Sequence, residues 1–350
     1  MRKIVSVICI LALCLSLFGC GESDYPPVES TAREAEVLFS FRAGGETYRV
    51  RYELYRTFYL TYRSEYPELM SDEDERALED RVLSRILAIY ATLALCDEYG
   101  VDPYSEKMDE KIEDFIRVSV EGGSIDSNAI TGYGSYEEYL ESLRSLFLNY
   151  EVQTLIFRYH LALSAIAARY PEVDGLPSDL THEEVRAFYN GEQTRRYLSL
   201  YLPANSFTET RAKEIRDTIA SLNSEDAVVS KMIRYSSLAV EEMLAGTIIT
   251  PYNLDAMLYG DLTKTATSLS VGETSEPITV YNNQNQGYFI LWAAEKSDAH
   301  FTDNYEKIAR ECINDTIGRD LDAITRELAE SIRYTDAYET LDRATISMND

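Results

Sequence analysis

Nucleophilic and metal-binding side chains are few in this chain of 350 residues, which has five cysteines and three histidines. Cys20 has the most specific setting. It follows Leu17-Phe18-Gly19, and ahead of these lie Arg2, Lys3 and an apolar run from Ile4 to Leu17. A positive start, a short apolar stretch and a small residue before the cut are the marks of an export leader, and the Leu-Phe-Gly-Cys end looks like a bacterial lipobox. Cys20 is then expected to be the lipidated first residue of the mature chain. Its thiol would be consumed in a thioether to diacylglycerol, and two acyl chains hold a protein on a membrane far better than one. The apolar run is shorter than the roughly 20 residues that a spanning helix needs.

Cys9 and Cys14 leave with residues 1–19, so the mature chain keeps free thiols only at Cys96 and Cys312. Each sits among apolar residues of a predicted helix and reads as a small buried hydrophobe, while an export compartment would also permit one bridge between them. His160, His182 and His300 share no ligand spacing. They read as surface or helix-boundary residues, and neither a metal nor a cofactor is expected. No Gly-x-Ser-x-Gly elbow and no phosphate-binding glycine loop is present.

Removal of the leader leaves 331 residues, enough for two or three modules. The loss of Arg2 and Lys3 takes the net charge from −27 to −29. Nucleic acid is therefore not an expected partner, since that binding relies on a basic surface. The acidic surface also keeps the body off anionic lipid headgroups.

Residues 20–35, with Pro26-Pro27, read as a tether. Val37–Phe41 and Thr47–Val50, joined through Gly44-Gly45, predict a hairpin. Apolar residues at three-to-four spacing predict helices over 51–66 and 73–99, and a third over 105–121. Residues 122–134 read as a loop. Ser135 and Glu138 would cap one long helix that continues past Tyr150 to Ile156, and Thr181 with Glu184 would cap another. Downstream, 197–202 reads as a strand, 208–222 and 227–235 as helices, and 272–278 and 288–293 as strands. That order describes an α+β module. Residues 304–332 form a last amphipathic helix whose apolar face must be buried against a partner.

The whole mature chain resembles extracytoplasmic foldases of the PrsA and SurA type. The resemblance rests on the hairpin leading into a helix over Val37–Leu54, on the phrase Thr181-His-Glu-Glu-Val-Arg-Ala-Phe-Tyr189, and on Gly272-Glu-Thr-Ser-Glu-Pro-Ile278 followed by Gly287-Tyr-Phe-Ile-Leu-Trp292. It implies a mainly helical, discontinuous SurA-N-like chaperone domain over 36–190. The 300–350 helix would pack on that domain, and a parvulin-like α+β domain over 193–297 would be inserted into it. Such domains twist prolyl bonds with a cluster of histidines and an acid or thiol. Here the equivalent positions are Tyr197, Ser237 or Leu238, Gln286 and Phe289, none of which supplies that chemistry. Leu258, Tyr259, Leu262 and Phe289 fall where the family binds the proline ring, and they also suit an ordinary core.

The resemblance thus implies a chaperone lipid-anchored on the extracytoplasmic face of a bacterial membrane. Its partners would be unfolded or newly exported polypeptides, and the isomerase-like module would be weakly active or inactive. Two alternatives stay open: an active isomerase with an atypical site at Tyr197 and Ser236 or Ser237, and a dedicated envelope scaffold. Tyrosines over 52–66 and 133–159 suit either loose client contacts or bundle packing. Oligomeric state is not legible.

Overall fold

The computed structural model describes residues 25–65, 72–125, 128–170, 172–173, 176–177, 180–236, 239–252, 260–282 and 285–348. The lipidation position Cys20 lies outside them. So do Ser237, Leu238, Leu258 and Tyr259. Among the described residues, no helix is long and apolar enough to cross a membrane. The chain has an α+β fold and divides into two compact units, Met1–Arg169 with Asp320–Asp350, and Tyr170–Arg319.

The first unit opens with the Val37–Ala43 and Glu46–Arg51 hairpin. Its two-residue turn is Gly44-Gly45, both at positive φ (58° and 84°), as the twist of a tight hairpin requires. A third strand, Arg333–Tyr334, pairs antiparallel with the first at Phe39 and Ser40. That strand carried no sequence signal, because two residues are too few to show a period. The Tyr52–Glu65 helix follows directly on the hairpin. All residues from Tyr52 to Leu60 are buried, Glu53 and Arg56 included.

Those two charges are tolerated because they are paired. Arg56 donates to Glu34 at 2.7 Å, and Glu53 accepts from Ser30 (2.5 Å) and Asn149 (2.8 Å). Burial alone would raise the Glu34 carboxyl, but the Thr31 amide and the Arg56 guanidinium outweigh it and hold it below the usual range. Residues 25–35 are therefore not the free spacer that their composition suggested; from Ser30 onward they are held by buried ionic contacts.

The Asp72–Glu98 and Glu106–Glu121 helices match their predicted positions. Two expectations for this unit are corrected. Residues 122–134 contain a small hairpin, Gly123–Ile125 with Asn128–Ile130, rather than only loop. The predicted long helix after Ser135 is two helices, Tyr136–Ser145 and Tyr150–Ala167. Phe147 breaks it with φ of +61°, a conformation that costs a residue with a Cβ about 1–2 kcal/mol. The cost is offset locally: Leu148 N–H bonds Leu143 at 2.9 Å, Thr57 donates to the Phe147 carbonyl at 2.7 Å, and Asn149 caps the next helix through Val152 N–H at 2.9 Å.

Tyr52, Tyr55, Tyr59, Tyr139 and Tyr159 are buried and serve packing, whereas Tyr62, Tyr133, Tyr136 and Tyr150 are half-buried or exposed. His160 is likewise neither at the surface nor at a helix boundary. It lies within the Tyr150–Ala167 helix, where burial and Arg85 push its pKa down to about 4. Cys96 is a buried free thiol in this unit, and Cys312 is one in the second.

In the second unit, the capping box at Thr181 starts the His182–Asn190 helix. A four-stranded antiparallel sheet follows, in the order Thr247–Ile249, Arg195–Pro203, Asn285–Ala294, Ile278–Asn282. The predicted strand over 272–278 begins only at Ile278. Before it, Gly272–Ser275 runs beside the neighbouring strand with Thr274 opposite Trp292: Gly272 N–H bonds the Ala293 carbonyl at 2.7 Å, Ala293 N–H the Glu273 carbonyl at 2.9 Å and Ser275 N–H the Leu291 carbonyl at 2.8 Å. Pro277, which has no N–H, interrupts the ladder ahead of Ile278. The Tyr305–Glu330 helix starts in the second unit and ends in the first.

Candidate functional site

Alternation along the two central strands divides the sheet into two faces. Leu198, Leu200, Leu202, Tyr288, Ile290, Trp292 and Ala294 point to one face. The Glu209–Ala220, Glu225–Met232 and Val240–Ala245 helices cover it, through Ile215, Ile219, Val228, Met232 and Met243 among others. Arg196 is buried on this side as well. It makes a two-pronged pair with Glu225 (2.6 and 2.9 Å) and also donates to the carbonyls of Leu244 and Glu295.

The other face carries Tyr197, Tyr201, Phe289, Leu291 and Ala293, with Ile278, Val280, Ile249, and Leu262 and Ala266 of the Gly260–Ser268 helix. Its packing is uneven. Tyr197, Leu291 and Ala293 are fully buried, whereas Tyr201, Phe289, Leu262 and Leu269 are only half-buried.

The strand register decides which predicted residues meet. Phe289 lies opposite Tyr201, and Tyr197 lies opposite Ala293. Tyr201 and Phe289 form a tilted ring pair with centroids 5.1 Å apart. Tyr197 and Phe289 thus share a face but stand four positions apart along the ladder, so they do not form one cluster. Gln286 lies on the same strand, opposite Tyr281. Leu262, like the ring pair, packs against the buried cluster of this face. Tyr235, beside Ser236, packs against the helix-covered face instead.

Tyr201 was not singled out by sequence. A strand tyrosine has no signal of its own until its cross-strand partner is known.

Tyr197 is committed to structure. Its hydroxyl donates to the Ala266 carbonyl, and burial pushes its pKa up to about 12. Its own carbonyl is crowded by Gly246, where a Cβ would lie 2.6 Å away and φ is +61°. The glycine is obligatory there on both counts. Burial raises the Tyr201 phenol too. By strand alternation this face also carries Arg195, Ser199 and Thr247, the two hydroxyls 3.4 Å apart, and none of its strand positions is His, Cys, Asp or Glu. The arrangement offers aromatic and aliphatic contact, without a group that could donate or accept a proton near neutral pH.

One end of the sheet is sealed by a third cluster, with Val185, Tyr189, Ile248, Phe301 and Ile308. His300 lies buried there, and not at the surface. Its Nε2 bonds the Ala245 carbonyl and its Nδ1 the Tyr189 hydroxyl, both at 3.0 Å. Since the carbonyl can only accept, Nε2 carries a proton, and the single Tyr189 hydroxyl proton has two acceptors in reach, Nδ1 at 3.0 Å and the Ser297 carbonyl at 3.4 Å. Desolvation first, then Arg196 and Lys307, lower its pKa against the opposing pull of Ala245 and Glu225. Lys296 donates to the carbonyls of Tyr189, Gly191 and Thr194 at the C-terminal end of the His182–Asn190 helix, where a cation complements the helix dipole. His182 stacks on Tyr305 with centroids 5.1 Å apart. These groups hold the module together.

No family model and no curated protein sequence matches the chain. It is similar to solved structures of the foldase protein PrsA. That from Streptococcus pneumoniae is 18% identical, with 78% of this chain and 91% of that chain covered and a TM-score of 0.30. The Lactococcus lactis structure is 13% identical, with 86% and 95% covered and a TM-score of 0.25. The Bacillus subtilis structure is 14% identical, with 71% and 82% covered and a TM-score of 0.24.

Proposed function

We propose that this chain is a chaperone of the foldase type, lipid-anchored through Cys20 outside the cytoplasm, whose sheet module grips polypeptide segments without isomerising them. The reading supposes a parvulin-like module inserted in a helical chaperone domain. One observation carries it: the half-buried Tyr201–Phe289 pair, on a face that also holds half-buried Leu262 and whose strand positions include no His, Cys, Asp or Glu. An aromatic pair of this kind suits proline and other apolar side chains, since it presents flat apolar area at little conformational cost. Turning a prolyl bond, by contrast, means lowering a barrier of about 18–20 kcal/mol, and no strand position of this face carries an imidazole, thiol or carboxylate to stabilise the twisted bond.

An atypical isomerase using Tyr197 is disfavoured by the same geometry, because that phenol is buried and already bonded to Ala266. Two assays test the reading. The protein is expected to suppress aggregation of unrelated unfolded proteins, to lose much of that ability in Phe289→Ala, and to leave the isomerisation rate of a proline peptide at background. A rate above background that Tyr197→Phe abolishes would overturn it. Suppression confined to one envelope protein would turn the reading toward a dedicated scaffold.

A further inference from the structure

The buried contacts of residues 30–36 continue outward along the chain to Tyr25. Its ring lies 5.4 Å from that of Tyr136, its hydroxyl donates to Glu121 at 2.6 Å, and Tyr136 donates to the Pro26 carbonyl at 2.7 Å. Tyr136 in turn stacks on Tyr139 at 6.2 Å, and Tyr139 meets Tyr133 at 5.9 Å. Tyr133 is 45% exposed, among the most exposed large apolar side chains of the unit. Four tyrosine rings therefore form a continuous run where the docked segment leaves the body, between the end of the Glu106–Glu121 helix and the start of the Tyr136–Ser145 helix.

Only residues 21–24 separate Tyr25 from Cys20. Fully extended at about 3.3–3.6 Å per residue, they reach no more than roughly 18 Å. A lipid on Cys20 would consequently hold this corner of the unit close to the headgroups. Tyrosine, apolar in its ring and polar at its tip, is the side chain enriched at that depth.

We propose that the Tyr25–Tyr133–Tyr136 run is the face this chain lays against a bilayer. The proposal rests on the reading of Cys20 as a lipid site, and it concerns where the body meets the membrane. Charge narrows the type of surface. Glu121 bonds Tyr25, Glu137 and Glu138 follow Tyr136 in the first turn of its helix, and Arg117 is the cation placed near Tyr25 and Glu121, so this corner is net acidic. The contact suits neutral headgroups and not an anionic patch, and it needs the tether to bring it about.

The two claims can be tested apart. The purified mature chain is coupled through its Cys20 thiol to a maleimide lipid in phosphatidylcholine vesicles, which imposes the anchor whether or not cells make it; Cys96 and Cys312 are buried. A fluorescent non-canonical residue is placed at position 133 or, as control, at position 107. The control site is exposed in the first turn of the Glu106–Glu121 helix, about 20 Å along its axis from Glu121. Quenching by a headgroup-attached quencher is expected to be several-fold stronger at 133. Inserting about twelve Gly-Ser residues after Asp24 should abolish the difference by lengthening the reach. Equal quenching at both positions, or a difference that survives the insertion, overturns the proposal. Flotation of cell-made protein with membranes, lost in Cys20→Ser, tests the lipid reading separately.

Discussion

The two faces of the four-stranded sheet are built from alternate residues of the same strands, yet they have different fates. On one, Leu198, Leu200 and Leu202 meet three helices and are fully buried. On the other, burial is complete at Tyr197 and Ala293 but relaxes four residues along the ladder, at Tyr201 and Phe289. The face with interdigitating cover supplies stability. The face with incomplete cover leaves aromatic area only half-buried. On the reading proposed above, a binding surface can stand without catalytic groups, because the two would depend on different side chains of the same strands.

The largest effect that could break this comparison is Leu200→Ala on the covered face, expected to destabilise the second unit by about 2–5 kcal/mol in denaturant unfolding. A loss below about 1 kcal/mol would mean that this face is not the core. Phe289→Ala should cost clearly less, about 1–2 kcal/mol, because its ring is only partly withdrawn from water. Its main effect should appear as weaker suppression of client aggregation, and equal costs at the two sites would erase the distinction. Tyr197→Phe removes a single hydrogen bond to Ala266, so about 1 kcal/mol is expected, with client holding unchanged.

The smallest effect concerns the sealed end of the sheet. The His300 pKa is lowered on folding, so the unfolded chain takes up a proton first. The stability that His300 contributes is present above its unfolded pKa near 6.5 and is lost as pH falls below it, toward the folded value. One proton limits the slope to about 1.4 kcal/mol per pH unit. The difference in pH dependence between wild type and His300→Gln should show this sign. Wild type gaining stability relative to His300→Gln as pH falls below about 6.5 would contradict the neutral, buried ring.

Much of the fold was legible wherever the signal is local. Gly44-Gly45 marks a hairpin because both positions need positive φ. Thr181 and Glu184 mark a helix start because the side chains and amides that bond each other are three residues apart. Signals that depend on distant partners were not legible. Arg333–Tyr334 is a strand only because Phe39 and Ser40 lie beside it. The helix break at Phe147 defied an unbroken apolar pattern, and the one local clue, Asn149 as a cap, was easily hidden by it. Among the candidate site residues, Phe289 and Leu262 could be named from sequence, but the pairing of Phe289 with Tyr201 could not.

The sequence by itself determined the acidic charge, the order of the main helices and strands, and the absence of histidine and thiol at the strand positions where the resembling family would place them. These follow from residue identity and short-range spacing. Only the tertiary structure decided that Tyr197 spends its hydroxyl on Ala266, that Tyr201 and not Tyr197 stands against Phe289, and that residues 25–35 are docked instead of free. The reason is physical. A side chain's availability depends on which neighbours strand register and packing bring to it from elsewhere in the chain, and a one-residue shift in register would exchange the two faces of the sheet.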